Sequence, residues 1–426
     1  MLVLTLFLVL LLTGFPIFGS ILAAAIVFMA VSDLSILFDA VPLQLYSALD
    51  INSLLAIPLF LLVGEVMNKG GLTQRLIAVA ELVVGRLRGG MAYANLITNA
   101  MAASILGSAL AQIGVMSRIM VPEMEKQGYD KSFSCAVTVS GGLLGPIFPP
   151  SMLMIIYAVV SVQPIAPLFI AGILPGVLIF IALCVVVFIY SMVGTSVPKV
   201  ERDKKRDKTI RKILIDGILP GLIPIFVIVG ISAGVMTPTE AGAVAALVSF
   251  LICFAYKDIK IKDLYEIFLS VCLLTATICG LISAATLLSW VLTFEGIPDR
   301  LVQSITMLTQ SPFVFMLLVI ALLMFLGLFL ETISVLIVLV PILMPVVVEL
   351  GIDPIQFGVI VAVATTLGVI TPPVGPGLFV VMGQSNVGMG SLVRAVTPFL
   401  VAVMLTLILI AAIPEISTWL PSKVVR

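Results

Sequence analysis

Apolar residues in this chain run in long blocks separated by short polar turns. A helix of about 20 apolar residues crosses the hydrocarbon layer of a bilayer, so the pattern predicts a polytopic, all-α membrane protein. The spans fall at 2–31, 52–68, 131–160, 166–193, 213–235, 239–256, 266–294, 355–382 and 392–414. The first begins at Leu2 with no basic residues ahead of it and is too long for a signal-peptide core, so it is expected to be retained. Two further apolar segments, 92–121 and 313–347, carry small or helix-breaking residues at mid-length, and their halves look too short to cross separately. They predict re-entrant hairpins that return to the side they came from. Between Leu72 and Leu87, the residues Leu72, Leu76, Ala80, Val83 and Leu87 fall at helical spacing, with Arg75, Glu81, Arg86 and Arg88 elsewhere. That is the pattern of a helix lying along the interface, although an ordinary loop helix would share it. Asp258–Phe268 suggests a shorter counterpart.

Two of the spans are broken in the same way. Gly145-Pro146-Ile147-Phe148-Pro149-Pro150 interrupts 131–160, and Gly368-Val369-Ile370-Thr371-Pro372-Pro373 interrupts 355–382 before Val374-Gly375-Pro376-Gly377. Proline lacks a backbone donor and clashes with the preceding turn, so each helix must open. Open backbone at membrane depth is tolerated where it is buried in protein or lines a cavity, and a matched pair of interrupted helices points to a transporter's binding site. Pro149 and Pro372 lie 223 residues apart, and the same offset pairs Pro122 with Pro345, Gly128 with Gly351, Asp130 with Asp353, Leu144 with Leu367 and Gly145 with Gly368. A two-residue slip pairs Arg75-Leu76 with Arg300-Leu301. The chain therefore divides into an N-terminal scaffold helix and outer loop (1–50), a first repeat (51–195), a basic loop with two linking helices (196–257), a second repeat (258–414) and a tail (415–426). Each repeat holds a scaffold span, an amphipathic arm, a hairpin, a broken span and a further span. Five full spans separate equivalent points. That odd number makes the second repeat inverted.

Charge orients this arrangement. Lys199, Arg202, Lys204, Lys205, Arg206, Lys208, Arg211 and Lys212 form the strongest basic block, which marks a cytoplasmic loop. With both hairpins returning, Arg75, Arg86, Arg88, Arg118, Lys126, Lys131, Lys257, Lys260, Lys262 and Arg394 also fall inside, while Asp33, Asp39, Glu349 and Asp353 fall outside. The first hairpin then opens from the cytoplasm and the second from the outer face, with the N-terminus cytoplasmic and the C-terminus periplasmic.

Composition narrows the function classes. Hydrophobic residues make up 61% and charged residues 10% of the chain, and the formal net charge is +0, so nothing supports nucleic-acid binding. Histidine is absent, which excludes His-based zinc sites, haem ligation and His general bases. Cys135, Cys184, Cys253, Cys272 and Cys279 lie in apolar runs without CxxC spacing and read as small apolar residues. No GxxxxGK[ST] motif offers ATP, and no Ser-His or Cys-His constellation offers an intramembrane enzyme. An ion gradient suffices as a driving force, since one charge moved through 100 mV is worth about 2.3 kcal/mol.

The residues that could carry transport sit at the hairpin tips and the breaks. Sodium is a hard cation, and hydroxyls and freed carbonyls supply oxygens to it without burying a full charge. A first cation site combines Ser104, Gly107 and Ser108 with carbonyls around Gly142 and Gly145, and a second combines Glu331 and Thr332 with Gly368, Thr371 and Pro373. Small residues at these positions would also allow close helix packing with no ion involved. Glu331 stands in an apolar context where an ionised group costs about 2.5–3.5 kcal/mol, so it calls for a cation, a proton, a partner or a capping role. Glu240, in Thr237-Pro238-Thr239-Glu240, reads as a helix start. Ser108, Pro149, Pro150, Ser151, Pro372, Val374 and Gly375 are the candidates for holding an acidic substrate, whose carboxylate half-helix dipoles can bind without an arginine. The rival architecture is a channel, but rings of like residues around a continuous pore are its mark, and a long inverted repeat argues against that.

Thr237-Pro238-Thr239-Glu240-Ala241, Gly145-Pro146-Ile147-Phe148-Pro149-Pro150-Ser151, Leu106-Gly107-Ser108-Ala109 and Thr371-Pro372-Pro373-Val374-Gly375 together resemble the large membrane subunit of the tripartite ATP-independent periplasmic (TRAP) transporters, over essentially the whole chain. The overall likeness is greatest to the sialic-acid branch, with C4-dicarboxylate or another carboxylate as the alternative cargo. The resemblance implies an elevator in the bacterial inner membrane, in which both hairpins and both broken helices slide against a fixed scaffold. It also implies sodium as the coupling ion, a small four-helix membrane subunit as partner and a soluble periplasmic substrate-binding protein as donor. No small-subunit sequence is fused to this chain, so that partner is expected to be separate. The family often has Ser-Gly-Ser at the first tip, where this chain has Leu106-Gly107-Ser108, which leaves Ser104 or a carbonyl to supply the missing oxygen.

Overall fold

The computed structural model describes residues 2–32, 34–72, 75, 76, 79, 89–193 and 210–424, which form helices and turns with no strand. The basic block from Lys199 to Lys208, Asp33, and Ala80, Glu81, Val83, Arg86, Leu87 and Arg88 of the interfacial arm lie outside the described residues, as do the side chains of Ser104, Leu106, Arg211 and Lys212. Among the described residues five helices are long and apolar enough to cross a membrane alone, or up to seven if each bent pair counts as one span.

The first apolar run is not one span. It forms α1 (Leu2–Leu12) and α2 (Ile17–Val31), which pack together. Gly14 takes a left-handed φ of 78° and Pro16 takes extended backbone at the start of α2. Proline disfavours helical backbone in the residue before it, so hydropathy alone overestimates this helix. After α3 (Val41–Ser47) the chain bends by 49° into the span that contains α4 (Ala56–Lys69).

The first repeat continues as the hairpin α5 (Gly90–Leu106) and α6 (Ala109–Lys126), the broken span α7 (Lys131–Gly141) and α8 (Met152–Val160), and α9 (Ile165–Val193). Two linking helices follow, α10 (Ile210–Ser232) and α11 (Pro238–Ala255). The expected capping box opens α11: the Glu240 carboxylate accepts from Thr237 N at 2.8 Å, and Thr237 Oγ1 accepts from Glu240 N at 3.3 Å. The second repeat comprises α12 (Ile261–Phe294), α13 (Ile297–Leu308), the hairpin α14 (Pro312–Gly327) and α15 (Thr332–Glu349), the broken span α16 (Pro354–Val369) and α17 (Pro376–Ser385), and α18 (Met389–Ala412).

The repeats correspond in backbone as well as in residue type. Helices α6 and α15 start at 109 and 332 and end at 126 and 349, and α7 and α16 start at 131 and 354, each pair 223 residues apart. Gly128 and Gly351, which follow the hairpins, both take left-handed backbone, φ 86° and 66°. Asp130 caps α7 by accepting from Phe133 N at 3.0 Å, and Asp353 caps α16 by accepting from Ile355 N at 2.7 Å. Pro149 and Pro372 lie in irregular backbone, as expected, and both Pro-Pro peptide bonds are cis.

Two segments differ from expectation. Asp258–Phe268 is not a separate arm: from Ile261 it is the opening of the unbroken 34-residue α12, where Asp263 accepts from Lys260 N at 2.9 Å and no Pro or Gly interrupts the first turns. The second arm is α13, which carries Arg300 and Leu301 and meets α14 at 114°. The tail 415–426 is largely α19 (Glu415–Val424), which packs back onto α9 and buries Ser417 and Pro421.

Packing interlocks the repeats. Helix α17 lies on α6 and α8 lies on α15, so each hairpin is held by the other repeat's broken span. Helices α2, α4, α11 and α12 pack among themselves. Two contacts establish sidedness. Arg75 pairs with Asp258 at 2.5 Å and stacks on the Tyr256 ring at 3.6 Å. Between Arg75 and Asp258 lie the first hairpin and the four segments that hydropathy marks as spans: α7 with α8, α9, α10 and α11. Residues in contact share a side, so the crossings between them are even and the hairpin returns to the side it left. Likewise the Tyr157 hydroxyl donates to Pro354 O across α9, α10, α11, α12 and the second hairpin, so that hairpin returns as well. Its second arm, α15, has enough apolar length to cross on its own, so length is no guide to hairpin depth here.

Candidate functional site

The two hairpin tips meet. Gly107, Ser108, Ala109 and Leu110 of the first and Glu331, Thr332 and Ile333 of the second line one cavity with Pro146 and Leu153. Gly107 ends α5 with a left-handed φ of 59°, and a Cβ there would press to 3.3 Å on Met152 N. The first tip therefore sits on the start of α8, where only a glycine both turns the chain and lets the backbones approach. Ser108 and Glu331, 223 residues apart, occupy the N-cap positions of α6 and α15, and neither side chain bonds to its own helix. Glu331 is thus not a capping residue; it is exposed and lines the cavity.

Three helices, α6, α8 and α15, begin at this cavity. Each N-terminus carries a partial positive charge, with one N–H of α8 taken up by Ser151, so the helix dipoles favour a negative group at the cavity. Its volume is about 20 Å³, room for one water or one small ion. An organic acid requires the tips to part.

Behind the first tip lies a set of buried amides that sequence reading did not single out. Asn95 Nδ2 donates to Thr138 Oγ1 at 2.7 Å, Asn99 Nδ2 to Asn95 Oδ1 at 2.7 Å, and Gln112 Nε2 to Asn99 Oδ1 at 2.9 Å and Asn99 O at 2.7 Å. The signal available was three amide side chains on the hairpin arms, two of them four residues apart. Glycines of the break fit against them. A Cβ on Gly141 would meet Asn99 Nδ2 at 2.7 Å, and one on Gly145 would meet Gln112 Oε1 at 2.6 Å. Gly142 faces Ile113 on the same helix.

The second break is built from backbone. Gly327 and Gly368 bring α14 and α16 together so closely that a Cβ on Gly368 would meet Met324 O at 2.8 Å. A Cβ on Gly375 would meet Val369 O at 2.6 Å and Thr371 O at 2.7 Å, so two carbonyls converge at that glycine. Thr371 Oγ1 donates to Leu367 O at 2.7 Å, which leaves its lone pairs free to accept.

The expected residues divide accordingly. Gly107 and Ser108 of the first cation set reach the cavity, Gly142 and Gly145 lie against α6, and the Ser104 side chain is outside the described residues. Glu331 and Thr332 of the second set share the cavity with the first tip, while Gly368, Thr371 and Pro373 belong to the break beside α14. Of the proposed substrate residues only Ser108 lines the cavity; Pro149, Pro150, Ser151, Pro372, Val374 and Gly375 do not. Ser151 is fully buried, donates to Pro146 O and accepts from Met154 N at 3.4 Å, so it caps α8. Pro146, nearer the tips, takes the place expected for Pro149 and Pro150.

Comparison with known proteins agrees with this architecture. The family described as "Tripartite ATP-independent periplasmic transporter, DctM component" matches residues 4–416. The C4-dicarboxylate TRAP transporter large permease protein DctM of Pseudomonas aeruginosa is 36% identical over 381 residues, covering 89% of this chain and 88% of that protein. The sialic acid TRAP transporter large permease protein SiaM of Vibrio cholerae is 34% identical over 415 residues, covering 97% and 96%. The isethionate TRAP transporter permease protein DctMQ of Oleidesulfovibrio alaskensis is 34% identical over 402 residues, covering 94% of this chain and 62% of that protein. The crystal structure of the YdaH transporter of Alcanivorax borkumensis shares the fold, with a TM-score of 0.64 at 14% identity over 89% of this chain and 88% of that one. These relatives are permeases and not enzymes, and together with the paired breaks and meeting hairpin tips they establish that this chain belongs to the DctM component family, the large permease subunits of the TRAP transporters.

Proposed function

We propose that this subunit carries an organic acid anion across the bacterial inner membrane, driven by sodium, with sialic acid as the named cargo. The observation that carries the anion is the convergence of three helix N-termini on the cavity between the tips. It suits the carboxylate of sialic acid or of a C4-dicarboxylate, and equally the sulfonate of isethionate, the cargoes named for the relatives. A C4-dicarboxylate is the second reading, favoured by the P. aeruginosa relative. Sodium is supported by the acceptor-rich tips and breaks: Ser108, Glu331, Thr332 and Thr371 offer side-chain oxygens, and carbonyls gather at Gly375.

The interlocking of hairpins and broken spans supports an elevator, because it makes one body of the parts that surround the cavity. The Lys69–Glu266 pair at 2.6 Å and the Arg75–Asp258 pair tie α4 and its following arm to the α12 side of the molecule, which suits a fixed scaffold. A small membrane subunit and a soluble periplasmic receptor complete the proposed assembly, with the N-terminus inside and the C-terminus outside. The test is uptake into vesicles holding both membrane subunits, with the receptor supplied. Sialic acid should accumulate when a sodium gradient is imposed and succinate should not. Accumulation of succinate alone would shift the reading to the dicarboxylate, and flux that ignores both sodium and receptor would sink it.

A further inference from the structure

Helix α6 leads away from the meeting of the tips toward Lys126 and Lys131, the side that basic residues assign to the cytoplasm. Leu110, Gly114 and Arg118 follow one another at four-residue spacing, so they stack along one face of this helix. Leu110 lines the cavity between the tips. Arg118 comes two turns later, about 12 Å along the axis. The face is open: Ala111 and Arg118 are exposed, and Gly114 and Val115 are partly exposed. A Cβ on Gly114 would come to 3.7 Å from Val380 and 3.8 Å from Gln384 Nε2, so α17 forms the facing wall.

This open face is not built to meet lipid. Helix α9 turns Val177, Ile181, Val185, Phe188, Ile189 and Met192 outward, as a helix in contact with acyl chains does. Helix α6 exposes no large apolar side chain; its exposed residues are Ala111, Arg118, Pro122 and Lys126. A charged residue on such a face marks a water-filled path. Arg118 joins no ion pair among the described residues, and the acids at the end of α6 are taken, Glu123 by Lys126 at 3.3 Å and Glu125 by Lys131 at 3.4 Å. On the facing wall, Gln384 Oε1 is buried without a hydrogen-bond partner while Nε2 of the same amide lies toward Gly114. Holding an acceptor unpaired is costly, and the arrangement leaves a donor on the path. The other hairpin has no counterpart. The 223-residue offset pairs Gly114 with Ile337, Arg118 with Pro341 and Lys126 with Glu349. Pro341, Pro345 and Glu349 line a crevice at the opposite end of the molecule with Val160 and Val162. That path is apolar and ends on an acid, so the repeat does not require an arginine at this place.

We propose that Arg118, with Gln384 Nε2, forms a release site for the organic anion, a second station on the cytoplasmic side of the tips that takes up the carboxylate as it leaves them. This rests on the anion-carrier reading above and adds a site about 12 Å from the tips. A guanidinium holds a carboxylate through two parallel N–H bonds. Its exposure to water keeps that hold weak enough for the anion to go on.

The test uses vesicles holding both membrane subunits, with the receptor, labelled sialic acid and sodium outside. Only molecules whose outer face meets the receptor are then read. The interior is loaded with graded unlabelled sialic acid, or both acids are succinate if that is what the parent accumulates. The readout is the internal concentration that gives half of its effect on the initial uptake rate. Arg118→Gln should raise that concentration about tenfold or more, the scale of one hydrogen bond to a charged group. Arg118→Lys keeps the charge and loses the fork, so its rise should be smaller. Gln384→Leu should also raise it, by about threefold, while its thermal midpoint stays at or above that of the parent because a buried unpaired acceptor is gone. The external concentration for half-maximal uptake should be unchanged in all three. An internal half-effect equal to the parent's in both Arg118→Gln and Gln384→Leu would overturn the release site while leaving anion carriage intact. An equal rise on both sides of the membrane would overturn it as well, since that marks a general loss of binding. A parent that accumulates neither acid would instead overturn the carrier reading, and this proposal with it.

Discussion

Gly145 shows how tightly single residues are specified at the break. A methyl group there would meet the Gln112 oxygen at 2.6 Å, closer than carbon and oxygen can approach. Gly383, on the second half of the other broken span, has open space around it. Gly145→Ala should therefore displace Gln112 and abolish sodium-stimulated uptake, whereas Gly383→Ala should leave uptake near the parental rate. Comparing initial rates at matched membrane abundance checks this, and equal rates in the two variants would count against it. The tip residues Ser108, Glu331 and Thr332 were legible in the sequence because they interrupt apolar runs at hairpin mid-points. Asn95, Asn99 and Gln112 were not, since amides on membrane helices usually serve as interhelical glue. Only the fold lines them up with Thr138 and leaves one oxygen over.

Among elements, the broken spans differ in how they restart. Helix α8 is capped by Ser151, which bridges the break from Pro146 O to Met154 N, whereas the equivalent position before α17 is Val374. Ser151→Ala removes the cap and leaves a buried carbonyl with one bond fewer, so it should cost about 1 kcal/mol of stability, within the range for lost caps. A lowered thermal midpoint with sodium half-saturation unchanged is the expected signature; a shifted half-saturation would mark Ser151 as part of the ion site instead. Element boundaries read well wherever Pro, Gly or Asp punctuated them, as at Asp130, Asp353 and both Pro-Pro pairs. They read poorly where hydropathy was trusted over punctuation. Pro16 splits the first run, and the uninterrupted start of α12 absorbs the proposed arm.

At the scale of the molecule, the ion pairs between repeats fall on the side that the proposed elevator holds fixed. In a background without the native cysteines, Lys69→Cys with Glu266→Cys should be bridged by a short bifunctional methanethiosulfonate, because the longer parent side chains span the gap and meet at 2.6 Å. The cross-linked protein should keep its uptake if α4 and α12 belong to a fixed scaffold. Uptake lost on cross-linking and recovered on reduction would show that these helices move. The inverted repeat was legible from one offset, since the same Pro, Gly and Asp positions recur in a single register. The convergence of both tips on a common cavity was not, because it depends on each hairpin packing against the other repeat's broken span.

Helix α12, with 34 residues in one unbroken run, has a consequence for the membrane around it. At about 1.5 Å per residue it is roughly 50 Å long, against about 30 Å of hydrocarbon. Its outward residues are largely apolar from Phe268 through Leu273 to Phe294, roughly 40 Å at that rise, while Lys262 and Glu266 are exposed in its first turns. An apolar helix that outruns its solvent must lean or thicken the lipid beside it. Tyr265 near one end and Trp290 near the other are the ring side chains that would settle at the two headgroup levels. Helix α12 thus sets a tilt, and in the proposed elevator the bilayer's own thickness becomes part of the frame against which the cargo-bearing half travels.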